Sequence, residues 1–151
     1  MFKKICLGSG LFIALLTAVV TITAQSPMPP GLYFSAEEFS NGIAQDSGNR
    51  PGMAVSRFIL NDDYRINMVH RTTAAGAIIH DVGTELHYIT EGAGTLVTGG
   101  VIVRPAGGGS ATIEGGLARR VSVGDAVLIP VGTPHWYSEV EQSVTYLEVR
   151  F

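Results

Sequence analysis

The sequence predicts an all-β domain, and three observations carry that prediction. Glycine and proline, 19 and 7 of the 151 residues, punctuate the chain with tight turns. Valine, isoleucine and threonine are plentiful between them, the side chains that suit a pleated surface. From residue 55 onward, short runs of alternating polarity recur with no long helical period in between, which argues against a parallel sheet with crossover helices. A hydrophobic content of 46% with only 15% charged residues excludes a disordered chain and supplies one core rather than two.

The first element is not part of that domain. Lys3 and Lys4 precede an apolar run from Ile5 to about Ala24, the layout of an export signal, so residues 1–24 are expected to be a signal peptide cleaved after Ala24. The run is also about the ~20 residues needed to span a bilayer, so an uncleaved anchor stays open. Both readings place the domain outside the cytoplasm, secreted or periplasmic. The single cysteine, Cys6, and both lysines lie in this segment, leaving a mature chain of 8 arginines against 13 acids with a net charge of −5. That chain has no disulfide and no thiol nucleophile. It offers no basic face to a run of phosphates, which excludes nucleic acid as a partner. Once the signal is removed, nothing in it calls for a membrane.

Residues 25–54 begin Pro-rich and continue as a linker with one short helix. Ser35-Ala36-Glu37-Glu38 has the spacing of a capping box, predicting a helix from there to about Phe39. The remainder, residues 55–151, is expected to form the barrel domain. Strands are predicted at 55–60, 64–71, 75–80, 85–90, 94–98, 100–104, 119–123, 126–129, 135–139 and 144–151, separated by turn signals such as Gly83, Glu91-Gly92, Gly99-Gly100 and Gly124-Asp125. In the second of these, Tyr64, Ile66, Met68 and His70 share the apolar face. About ten short strands at this spacing imply a sandwich or a small barrel.

Four histidines occur, at 70, 80, 87 and 135. His80 precedes Glu85 by five residues, and six more separate Glu85 from Gly92. Further on, Gly124, Pro130, Gly132 and His135 fall at offsets of six, two and three. These two patterns resemble the two motifs of the cupin family over roughly Val55–Phe151. The first motif departs from the family where Ile78 replaces its first histidine and Thr72 its leading glycine, and the second where Glu139 replaces an asparagine. The resemblance implies a double-stranded β-helix, a jelly-roll barrel, and a dimer formed by strand exchange or sheet packing. It further implies a small organic ligand or substrate in the barrel.

The residues make chemical sense beside the family name. His80 and Glu85 would face opposite sides of a continuous strand, but a turn at Asp81-Val82-Gly83 resets the direction so that both point inward. Two imidazoles and a carboxylate, from His80, Glu85 and His135, are a ligand set for a divalent transition metal, Fe(II), Mn or Zn. The competing reading is that they fill the barrel as hydrogen-bonded, inert polar groups. His87, two residues after Glu85 and on the same strand face, is the candidate acid/base. Direct ligation or packing remains open for it. His70 on its apolar face is expected to be a satisfied core residue. The functions in view are a metal-dependent oxygenase, lyase or isomerase on one side, and a non-catalytic binding or structural module on the other.

Overall fold

The computed structural model describes residues 28–60 and 63–151, so the signal expected at residues 1–24 lies outside the described residues. Residues 28–32 have no regular secondary structure, and Tyr33–Phe151 form a unit of their own. Within it run α1 (Ala36–Asp46), β1 (Met53–Leu60), β2 (Arg65–Arg71), β3 (Glu85–Thr98), β4 (Val101–Val103), β5 (Thr112–Glu114), β6 (Leu117–Ser122), β7 (Ala126–Ile129) and β8 (His135–Arg150).

The capping box forms as the spacing requires: Glu38 N–H donates to Ser35 Oγ, and the Glu38 carboxylate accepts from the Ser35 N–H. The helix does not stop at Phe39, however, but continues to Asp46. Packing against β1 extends it. Phe39 meets Phe58 edge-on at 4.3 Å between ring centroids, and at the far end Asp46 accepts from the Val55 N–H at 2.8 Å.

The main sheet is antiparallel, in the order β1-β2-β8-β3-β6, with β7 pairing the other half of β3; β4 and β5 form a separate two-stranded ribbon. The all-β expectation holds, but the strand list needs three corrections. The segments at 85–90 and 94–98 are one strand, β3, and those at 135–139 and 144–151 are one strand, β8. What looked like turns between them are bulges, where the β3–β8 register shifts at Ile89/Glu91 and Gly92/Gly94. Gly92 adopts φ +69° with its α-carbon against the Ser143 carbonyl, a close approach that no side chain permits. Bulges of this kind bend long strands and let a sheet curl. The segment at 75–80 is not a strand; it meets β8 through the Ile78–His135 bridge, the Ala75 N–H to the Tyr137 carbonyl at 3.3 Å and the Trp136 Nε1–H to the Ala75 carbonyl. A strand at 112–114 pairs β4 instead.

The apolar core is built by Val55, Val69, Ile89, Leu96, Val121, Ile129, Tyr137, Val144 and Tyr146. On β2 the inward face is the opposite of the one its hydropathy suggests. Val69 and Arg71 are buried inside, whereas Met68 and His70 line a crevice beneath α1 with Phe39 and Ile43. Both faces of β2 are covered, and its inner neighbours are polar, so alternation alone does not separate inside from outside. His70 is satisfied there by Thr145 Oγ1 at 2.8 Å.

Candidate metal centre and ligand cavity

Strand pairing assembles the site in rungs across β2, β8, β3 and β7. One rung aligns Arg65, Arg150, Glu85 and Ile129; the next aligns Asn67, Glu148, His87 and Val127. A third, Val69, Tyr146 and Ile89, begins the apolar interior. Residues directly opposite in a sheet project to the same side, so the first two rungs make a polar end above an apolar base.

His80 reaches this end from a loop, and His135 from the first position of β8. Gly83, at φ +82°, has its α-carbon packed against the Arg150 side chain, and this turn swings His80 back over Glu85. Thr84 and Phe151 exchange two backbone hydrogen bonds, 2.7 and 3.0 Å, which pin the turn to the end of β8. The loop before β8 turns at Pro130–Thr133 and donates its Gly132 N–H to the His80 carbonyl at 2.9 Å. The second motif thereby holds the first.

All three expected ligands converge. His80 Nε2 lies 3.2 Å from Glu85 Oε1, and His135 Nε2 lies 3.5 Å from Glu85 Oε2. Their donor atoms are mutually within 4.8 Å. Donors bonded at about 2.1 Å to one cation stand roughly 3.0 Å apart at a right angle and roughly 3.4 Å at the tetrahedral angle, so the observed separations suit a shared metal. His135 Nδ1–H donates to the Thr133 carbonyl at 3.1 Å, which leaves the Nε2 lone pair aimed at Glu85. Burial pushes both His80 and His135 below the usual histidine range, so both imidazoles are neutral at pH 7.

Glu85 is 2% exposed. Burial would raise its carboxyl, but the hydrogen bond from His87 and the neighbouring His135, Arg150 and His80 outweigh that effect and hold it at about 2. Arg150 Nη2 stands 2.8 Å from Oε1, yet Oε1 accepts no hydrogen bond. The contact is a charge pair at short distance without hydrogen-bond alignment.

His87 sits below this group, buried on β3. Its Nε2–H donates to Glu85 Oε2 at 3.1 Å, and its Nδ1 accepts from the Tyr137 hydroxyl at 3.4 Å. Burial keeps both Tyr137 and Tyr146 neutral, raising Tyr137 strongly and Tyr146 to about 12. With Glu85 and Glu148, His87 forms a second, overlapping group of metal-capable atoms. Ile78, at the family's first histidine position, lines the same inner space as His87 and His135. Glu139 is exposed on β8 and accepts from Thr95, away from the site.

Two cavities adjoin the centre. An outer one of about 480 Å³ opens over His80 and Arg150, with Arg65, Tyr64, Val82 and Phe151 in its wall; that volume suits a small organic molecule. An inner one of about 20 Å³ lies beneath, bounded by Arg71, His87, His135, Tyr137, Tyr146 and Glu148. The sequence reading missed Glu148, Arg150 and Arg71. A signal for the first two exists: Val144, Tyr146, Glu148 and Arg150 share one parity, so the buried face of an apolar strand turns ionic in its last two inward positions.

No family model matches this sequence, and no curated protein does. Solved structures match it in fold. KdgF from Halomonas sp. is 19% identical with a TM-score of 0.51, over 67% of this chain and 80% of that one. An Fe(II) form of HppE is 14% identical at a TM-score of 0.53, over 66% and 50%. The DMSP lyase DddQ from Ruegeria pomeroyi is 19% identical at 0.50, over 66% and 46%. The barrel has the cupin fold. At these identities the likeness shows the fold alone, and this chain spans only about half the length of HppE and DddQ. Which atoms face each other in this cupin barrel is therefore the ground for any statement about its chemistry.

Proposed function

We propose that the chain is an exported metal-dependent enzyme of the oxygenase, lyase or isomerase type. It holds one Fe, Mn or Zn ion through His80, Glu85 and His135 and takes a small organic molecule in the outer cavity. One observation carries this reading. The Nε2 lone pair of a neutral His135 faces an ionised, buried carboxylate at 3.5 Å, and two acceptors do not face each other out of water without a cation between them. The Glu85 oxygen that lacks a hydrogen bond supports it from the other side. A bound divalent ion would supply Lewis acidity toward a substrate oxygen.

The chain's own residues do the rest. His87 and Tyr137 orient Glu85 through the hydrogen-bond chain described above, and His87 is the group that stores or moves a proton next to it. Thr133 fixes the His135 tautomer. Arg65 and Arg150, with Asp63 and Asp81, give the cavity that receives the ligand both signs of charge.

A second reading rests on the 2.8 Å Glu85–Arg150 pair together with Ile78 in place of a ligand. The carboxylate then already has its cation, and the barrel is a metal-free binding module. Elemental analysis of protein purified without chelator separates the two. Close to one transition-metal ion per chain, largely lost in His135→Ala, is the expected result. Wild-type protein that binds no Fe, Mn or Zn after dialysis and calorimetry would establish the binding module instead.

A further inference from the structure

Arg71 closes β2 inside the barrel and is 9% exposed. Its Nε–H donates to the Tyr146 hydroxyl at 3.0 Å, and its guanidinium carbon stands 5.6 Å over the Tyr137 ring. It has no carboxylate within ion-pair distance and no hydrogen-bond partner at its two terminal nitrogens among the described residues. The terminal nitrogens keep a little contact with solvent, but a guanidinium this buried without a counterion is still costly, and one neutral hydroxyl with one aromatic face returns only part of that cost. The other interior arginine, Arg150, is paired with both Glu85 and Glu148. Arg71 has no such ion pair, and it forms part of the wall of the inner cavity with His87, His135 and the Arg150-paired Glu148.

We propose that Arg71 is an anion receptor of the barrel interior and that its ligand is a small organic carboxylate, one oxygen of which enters the inner cavity that Ala75, Gly76 and Ile78 help to line. The fork of guanidinium donors matches a planar carboxylate. A single cation balances a monoanion, whereas a phosphate dianion would add uncompensated charge close to Glu148. The cavity, at about 20 Å³, holds little more than one water, so it can receive one carboxylate oxygen and not a whole phosphate. This inference rests on the reading that the barrel accepts a small molecule, and it does not require the metal.

Formate is the probe, with formamide as its neutral isostere, titrated into full-length ¹⁵N-labelled protein at fixed ionic strength, first as purified and then after EDTA. The Arg71 Nε–Hε resonance should shift saturably with formate and not with formamide, to the same extent with and without EDTA. The formate-dependent rise in Tm should vanish in Arg71→Met, and in Arg71→Lys the affinity should fall roughly 10- to 100-fold, the worth of a charged hydrogen bond. If neither variant folds, the wild-type resonance decides. No saturable shift, or a Tm rise unchanged in Arg71→Met, overturns the proposal. So does binding that disappears after EDTA, because the formate would then be sitting on the metal; that outcome leaves the metal reading intact, while metal-free protein that still binds formate separates the two the other way.

Discussion

Glu85 and Arg150 stand directly opposite each other on β3 and β8, and the guanidinium Nη2 reaches to 2.8 Å from Oε1. A permanent cation and a divalent metal therefore address the same carboxylate. Arg150→Met tests that competition. Without metal the variant leaves a buried carboxylate uncompensated and should be less stable by about 3–5 kcal/mol. With Zn or Mn added it should recover more stability than wild type does, and calorimetry should show tighter metal binding. Metal affinity that falls in the variant would mean that Arg150 supports the ligand set rather than competing with it.

Acid should destabilise the metal-free protein in two stages. His80 and His135 are depressed by burial, so their contribution is complete above the unfolded value of 6.5 and declines as pH falls below it. Glu85 is held at about 2 against an ordinary 4.5, so its contribution, on the order of 3 kcal/mol, is present above 4.5 and is lost between 4.5 and 2. Urea unfolding in EDTA across this range should show Glu85→Gln less stable at neutral pH and the two proteins converging toward pH 2. Equal slopes below pH 4.5 would remove Glu85 as the responsible group. Metal affinity should weaken below pH 6.5, where protons compete for the two imidazoles.

The ligand triad was legible because its geometry is local. His80 and Glu85 are joined by one turn, and the Pro130–Thr133 turn delivers His135, so fixed offsets stand in for contacts. Arg150 and Glu148 were not, because what brings them to the site is the pairing of β8 with β2 and β3, across more than sixty residues of sequence. Register between distant strands is a tertiary quantity. The continuity of β3 was hidden for another reason: Gly92 and Gly94 carry the composition of a turn but serve as bulges. The length of α1 was hidden because Asn41 and Gly42 are poor helix formers, and the contact of Phe39 with Phe58 outweighs that preference.

His87 should affect turnover more than metal content. Its Nε2–H is spent on Glu85 and its Nδ1 on Tyr137, so it orients a ligand without offering a free lone pair. His87→Ala should keep most of the metal and lose activity by the ~100- to 10,000-fold typical of a missing acid/base. Tyr137→Phe removes only the outer hydrogen bond of the chain and should show a smaller loss with a shifted pH–rate profile. Metal lost equally in His87→Ala and Glu85→Ala would make His87 a ligand, through its group with Glu148.

Ile78→His tests whether the centre has room for a fourth protein ligand. Ile78 and His135 are bridge partners, each donating its N–H to the other's carbonyl at 3.0 and 2.9 Å. Side chains so paired project to the same side with Cβ atoms about 4.5–5.5 Å apart, which sets residue 78 beside a proposed ligand. Ile78 is 41% exposed, so an imidazole can be accommodated from the solvent side without opening the core. In metal-free protein the loss of apolar contact and partial desolvation of the new ring should cost roughly 1–3 kcal/mol. A bound metal offsets that cost by taking the ring as a donor, so metal affinity should rise by an order of magnitude or more at ~1.4 kcal/mol per tenfold. If turnover needs an open coordination position, it should fall as affinity rises. Affinity that stays flat would show that residue 78 points past the centre, and the three-ligand set of His80, Glu85 and His135 would then be complete as it stands.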